Sequence, residues 1–300
     1  MLLVTGITGH TGQYFLKELI ANDYIGKIRC LVRETTNIAK LENTSLDIEV
    51  LKGDLNDKNF LVKAIEGVTE IVHIYNIHHS RSIIDVALKK NVSKVVLVHT
   101  TGIYSKFKEA SAGYKQIEAD IQETLHIANH PMNVVILRPS MIYGDLCDHN
   151  MSKFIKLVDK VKFVPIIDNG NSLIQPVNAR DLGKAYYTAL TKINKSTDYD
   201  LTGDRPITLK EALESIALNL NKKIHFISVP LSLGLIGARV VKTLSLSKID
   251  LIEKVQRMAE NRSYSHEKAK QDFAYKPMTF EQGILEEIRQ YKVKKSGESL

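Results

Sequence analysis

The sequence predicts a doubly wound parallel α/β sheet with a smaller, mostly helical lobe toward its C-terminus. Three observations carry this. Short apolar runs alternate with helical patterns through the first 139 residues. A glycine-rich turn, "TGITGHTG", follows the first run. After Pro139 the alternation loosens and long amphipathic stretches take over. Strands apolar on both faces belong to parallel sheets covered by helices on each side. Regular strand–helix alternation then requires right-handed crossovers.

The elements follow in order. "LLVT" is the first strand, and residues 10–21 form an amphipathic helix. "IRCLVR" and "DIEVLKGD" are the next strands, and "KNFLVKAIEG" is helical. "EIVHIYN" precedes the helical "SIIDVALKKN", and "KVVLVHTT" precedes "YKQIEADIQETLHIAN". "NVVILRP" closes the series. Beyond it, "IQPVNARDLGKAYYTAL" reads as a short strand and a helix that return to the sheet, and "YDLTGD" as one further strand. Thr208 with Glu211, and Thr279 with Gln282, stand at capping-box spacing and start two later helices. The expected division is a dinucleotide-binding Rossmann domain at 1–145 with returning elements from about 175–203. Residues 146–174 and 204–300 would form the smaller substrate lobe. No Pro/Gly-rich linker separates the two, which predicts a continuous interface.

Composition narrows the class. Of 300 residues, 44% are apolar and 25% charged, as in a soluble enzyme with a sizeable core. The net charge of +7 comes without a basic stripe interleaved with aromatics, which argues against nucleic acid. Part of it lies in "YKVKKSGESL", expected to be a frayed end. Cys30 and Cys147 have no neighbours at metal-ligand spacing and make no disulfide framework, which suits a reducing compartment. The longest apolar stretch, "VPLSLGLIGARVV", is broken by Pro230 and Arg239 and is too short to span a bilayer. A cytoplasmic protein without a membrane span is expected, and a homodimer is left open.

Gly6, Gly9 and Gly12 sit three apart between the first strand and the first helix. In that context Gly6 permits a tight turn, Gly9 lets backbone amides approach a diphosphate, and Gly12 lets helix and strand pack. Thr8, His10 and Thr11 complete the turn around the ligand. At the end of the second strand an acid would accept hydrogen bonds from an adenosine 2′-hydroxyl. This chain has "LVRETTN", with Arg33 about where that acid would stand and Thr35 and Thr36 as further donors. NADP is therefore expected. NAD is the alternative, because Glu34 takes the acidic role if the register slips by one.

With "GDL" (Gly53, Asp54, Leu55), "TTGIY", "RPSMIYG" and "QPVNARDLG" in this order after the glycine turn, residues 1–225 resemble the extended and atypical short-chain dehydrogenases/reductases. These include the NAD(P)-dependent nucleotide-sugar epimerases/dehydratases and their regulator-like relatives. The resemblance implies that Asp54 and Leu55 contact the adenine and that Pro139 and Ser140 border the nicotinamide. It also implies that the helical lobe holds a small-molecule substrate. Asp54 serves equally well as a turn cap before the helix at Lys58.

The family's proton transfer uses a Ser/Thr after the fifth strand and a Tyr-x-x-x-Lys pair on the following helix. Thr100 and Thr101 match the first and Tyr114 the tyrosine, but Glu118 stands where the lysine belongs. At ~5 Å and an effective dielectric of ~20, a unit charge is worth roughly 3 kcal/mol. A lysine would favour the phenolate by that much and a glutamate would oppose it. A second alignment sets Glu118 at a glutamate four residues past the lysine, which leaves Tyr114 at the lysine position and Ala110 at the tyrosine position. Tyr114 also lies on an apolar stripe with Ile117, Ile121 and Leu125, as a packing residue would. "YSKFK" (residues 104–108) satisfies Tyr-x-x-x-Lys literally but lies before the helix. His78 and His79 follow the fourth strand, where an acid/base near neutral pH would be useful, or where they are plain loop residues. No third ligand supports a metal. Two functions follow: an NAD(P)-dependent oxidoreductase or epimerase, or a dinucleotide-binding sensor or scaffold without hydride chemistry.

Overall fold

The computed structural model describes residues 1–107, 109–128, 131–245 and 250–297. Six strands, β1 (Leu2–Thr5), β2 (Ile28–Val32), β3 (Ile48–Lys52), β4 (Glu70–His73), β5 (Lys94–Val98) and β6 (Asn133–Pro139), join an edge strand, Thr197–Leu201, in one parallel sheet. Their order is β3-β2-β1-β4-β5-β6-edge. The order reverses between β1 and β4, which opens a crevice at the carboxyl ends of these strands.

Helices α1 (Gly12–Ala21), α2 (Ala39–Glu42), α3 (Lys58–Ala64), α4 (Ser80–Lys89) and α5 (Ser111–Ala128) connect the strands. They are followed by α6 (Met151–Lys160), α7 (Ala179–Lys192), α8 (Leu209–Leu220), α9 (Leu231–Leu244), α10 (Ile252–Met258), α11 (Glu267–Phe273) and α12 (Phe280–Ser296). On one face of the sheet Phe15 and Leu19 of α1 and Tyr186 of α7 join the core. Ile83 and Ile84 of α4 and Ile121 of α5 fill the other. The glycine of "ARDLG" matters here: a Cβ on Gly183 would lie 2.6 Å from Tyr14, so only glycine lets α7 lie against α1.

A third core unites α6, α8 and α12 around Ile155, Leu213 and Ile284. Both expected capping boxes form, with Thr208 accepting from the Glu211 amide at 3.0 Å and Thr279 from the Gln282 amide at 3.3 Å. α11 leaves this group and packs on the sheet, where Ala269 and Tyr275 join the first core. The basic tail is not frayed over residues 291–296. α12 continues through it because Lys295 bonds Asp159 at 2.5 Å and Lys292 bonds the Asn219 carbonyl at 2.9 Å. Residues 298–300 lie outside the described residues.

One buried carboxyl pair ties α12 to the loop after β6. Glu287 is 0% and Asp148 6% exposed, and each has one oxygen without a partner. Burial, then Asp148, push Glu287 well above the usual carboxylate range, so Glu287 keeps its proton near neutral pH. The folded state holds a proton that the unfolded chain releases, so this stability is full below the ordinary carboxylate range and falls as pH rises above it. Thermal melts should therefore show a midpoint declining from pH 5 toward alkaline values, and Glu287→Gln should flatten that decline. An equal slope in both proteins would refute the proton on Glu287.

Candidate active site

The glycine turn is built by steric necessity. Gly6 ends β1 with φ +76°, a conformation that favours glycine, and a Cβ there would meet the Tyr75 amide at 2.9 Å. A Cβ on Gly12 would lie 2.0 Å from the Gly6 carbonyl, so helix and turn touch through bare backbone. At Gly9 the only near neighbour among the described residues is the Gly6 oxygen at 3.1 Å, and the remaining side is open. That open side faces a cleft of about 560 Å3, which Thr8, Gly9, Arg33, Asp54, Leu55 and His79 line.

Arg33 stands exposed just past β2, with Glu34, Thr35 and Thr36 on the same cleft wall. The Asp54 carboxylate accepts from the Asn56 amide at 2.9 Å, while Asp57 caps α3. The His79 ring stacks on Tyr75 at 5.5 Å, and partial burial lowers its pKa against the pull of Asp54. Exposed backbone at a helix start, a cation at the β2 end and an apolar wall fit a dinucleotide.

Two of the turn's side chains point elsewhere. His10 Nε2 contacts the Gly144 carbonyl at 2.6 Å and Asp145 at 2.9 Å. Thr11 is buried, with its side chain near the Tyr186 phenol of α7. They fasten the turn to the loop after β6 and to α7 instead of facing the cleft.

A second cavity, of about 290 Å3, opens beyond β5 and β6. Thr100, Thr101 and Ser140 line one side of it, and Arg257, Arg262 and Tyr264 the other. The Thr100 hydroxyl oxygen accepts from the Gly102 amide at 3.0 Å. Thr101 donates to the Pro139 carbonyl at 3.4 Å, and Ser140 to the Gln175 carbonyl at 2.5 Å. Gln175 in turn accepts from the Tyr264 amide at 3.0 Å, so the "QP" segment ties the arginine-bearing loop to the sheet. Arg257 and Arg262 each bury an Nε without a hydrogen-bond partner among the described residues. Arg257 lies 3.7 Å from Glu253, whereas Arg262 pairs with no carboxylate among the described residues. Burial, then Arg257, press the Arg262 pKa down. Such a cavity has an excess of positive charge that an anion would relieve.

Tyr114 lies in the first turn of α5 with its ring 5.7 Å from that of His78, and it lines neither cavity. Glu118 corrects an expectation. It does not oppose a phenolate, because its charge is spent inward. Arg138 donates to it through Nε at 3.0 Å and Nη2 at 2.6 Å, and His99 Nδ1 lies 2.9 Å away. Burial pushes Glu118 up, but the His99 and Arg138 hydrogen bonds hold it at about 2. Arg138 continues to Asp198 at 2.6 Å and to Tyr104, whose hydroxyl donates to Asp200 at 3.0 Å. Tyr104 of "YSKFK" is thus a network member, and Lys108 lies outside the described residues. His99 of this network is the residue immediately before Thr100.

Residues 6–154 match the NAD(P)H-binding family. The chain is 23% identical to the UDP-glucose 4-epimerase of Vibrio cholerae over 269 residues, covering 77% of this chain and 79% of that one. It is 37% identical to sterol demethylase protein B of Methylococcus capsulatus over 71 residues, which covers 24% of this chain and 20% of that protein. Among solved structures, the dTDP-glucose 4,6-dehydratase of Streptomyces venezuelae with NAD bound superposes with a TM-score of 0.74 at 18% identity, over 99% of this chain and 98% of that one. The UDP-glucose 4-epimerase of Thermus thermophilus with NAD gives 0.69 at 18% identity, over 97% and 98%. Among the described residues no helix is long and apolar enough to cross a membrane. With its glycine turn and its strand order, the chain carries an NAD(P)H-binding domain at residues 6–154 and shares the fold of these dehydratases and epimerases.

Proposed function

We propose that the protein is an NADP(H)-dependent oxidoreductase or epimerase acting on a small anionic substrate of the nucleotide-sugar kind. The observation that carries this reading is the second cavity, where Thr100 and Ser140 stand opposite two half-buried arginines. Bound NADP(H) would supply or accept the hydride. In this reading Gly6, Gly9 and Gly12 cradle the diphosphate, Asp54 and Leu55 hold the adenine, and Pro139 and Ser140 border the nicotinamide. Arg257 and Arg262 take the substrate's phosphates, and Thr100 orients the reacting oxygen. Tyr114 is assigned the proton. Lacking a lysine one turn on, and with its ring outside the cavity, it should transfer that proton slowly. A second reading, a dinucleotide-binding sensor without turnover, is favoured by that same placement of Tyr114.

The test is a screen of nucleotide sugars and other phosphorylated metabolites that follows NADPH absorbance. Arg262→Ala should raise KM roughly ten- to a hundredfold. Tyr114→Phe should abolish turnover if the tyrosine moves the proton. Full activity in Tyr114→Phe removes it from the mechanism. Absence of turnover, with NADPH still bound, selects the sensor.

The cofactor preference is separately testable. A charge-assisted contact from Arg33 to a 2′-phosphate is worth about 1.5–3 kcal/mol. Arg33→Ala should therefore cut the preference for NADP(H) over NAD(H) roughly ten- to a hundredfold. Equal affinities for the two cofactors in the native protein would sink the assignment.

A further inference from the structure

α9 turns its large apolar side chains to solvent. The side facing the protein carries Gly234 and Ala238; a Cβ on Gly234 would lie 2.7 Å from Ile167 and 3.2 Å from Val255 of α10. Small residues thus seat the helix closely. On the opposite side Leu233, Ile236, Val240 and Leu244 follow at spacings of three and four and are 57%, 53%, 49% and 81% exposed. That periodicity places all four on one face. A shallow groove of about 290 Å3 runs beside them, bounded by Arg239 and Thr243.

Charge decides what covers this face. Between Glu214 and Asp250 the sequence holds no Asp or Glu, while it holds Lys222, Lys223, Arg239, Lys242 and Lys248. Lys242 engages Asp250 at 2.6 Å, whereas Arg239, flanking the apolar face, pairs with no carboxylate among the described residues. A second copy docked face to face would bring two Arg239 side chains together without a counter-charge from this segment. Anionic headgroups supply that charge, and the acyl boundary takes the apolar face.

We propose that α9 is an interfacial anchor, lying in the plane of an anionic bilayer with Leu233, Ile236, Val240 and Leu244 among the acyl chains and Arg239 at the phosphates. At fourteen residues the helix is about 21 Å long, which is short for a span and ample for lying flat. The same Arg239 that breaks the apolar stretch in the sequence reaches back to the headgroups. This anchor does not depend on the proposed chemistry.

The experiment is co-sedimentation of the full chain with vesicles of phosphatidylcholine alone and of phosphatidylcholine with phosphatidylglycerol. Sedimentation with the anionic vesicles, weakened by salt, is expected. Ile236→Asp with Val240→Asp should weaken it at least about tenfold, and Arg239→Glu should weaken it at low salt, with NADPH affinity unchanged as the folding control. Equal binding to both vesicle types overturns the anionic assignment. Failure to sediment with either, or native-like sedimentation of the double variant, overturns the anchor. So does a solution dimer that the double variant dissociates while vesicles bind neither protein, which would give the face to a second copy.

Discussion

Glu118→Lys should unfold the protein rather than speed its chemistry. A lysine at Tyr114's i+4 position would complete the family's proton-transfer pair on paper. In the fold, however, that position is 8% exposed and faces Arg138 and His99. The substitution removes the only carboxylate on Arg138's inner edge among the described residues and puts a second cation beside it. Breaking a buried pair by removing one partner costs about 3–5 kcal/mol, and the added repulsion makes the loss larger. Urea denaturation measures it. Glu118→Gln, which can still accept hydrogen bonds, should lose less.

The same group sets an acid limit. Its folded pKa is depressed, so its contribution is full above the ordinary carboxylate range and is lost as pH falls toward about 2. A Glu118→Lys protein as stable as the native one would refute the network's structural role.

Gly12→Val and Gly9→Val should separate folding from binding within one turn. At Gly12 the new Cβ meets the Gly6 carbonyl at 2.0 Å, and Ile7 backbone atoms at 2.8 Å close the other side. No rotamer relieves this, so the variant should fail to accumulate as folded protein. At Gly9 the new Cβ meets one oxygen at 3.1 Å and otherwise points into the cleft. That variant should fold and melt near the native temperature. Its NADPH affinity should fall on the order of a hundredfold, because the side chain holds the diphosphate off the backbone amides and the helix start. Calorimetric titration reads the loss. Native affinity in folded Gly9→Val would move the diphosphate away from this turn.

Much of this molecule was legible from residue order, for a local reason. The alternation of apolar runs and helical patterns reports which faces are buried, and the strands β1 to β6 appear where those runs stand. Both capping boxes are relations between residues three apart and formed as expected. The glycine turn is local in part: the demands on Gly9 and Gly12 are set by backbone at Gly6 and Ile7, whereas Gly6 must also clear the Tyr75 amide after β4.

The side-chain partners were not legible, because they are set by packing between distant segments. Glu118 reads as a charge facing Tyr114 until α5 docks and turns it toward Arg138, 20 residues on. His10 and Thr11 read as ligand contacts until the loop after β6 binds His10 and packing buries Thr11. Arg257 and Arg262 carry no spacing signal at all; they reach the cavity of Thr100 through Gln175 and the packing of the second half on the sheet. The outward face of α9 is the reverse case, a pattern that promises burial. Its periodicity marks an apolar side, but small residues at Gly234 and Ala238 make the opposite side the one that packs. Periodicity says that a helix has an apolar face, and tertiary contact says whether the protein or something outside it covers that face.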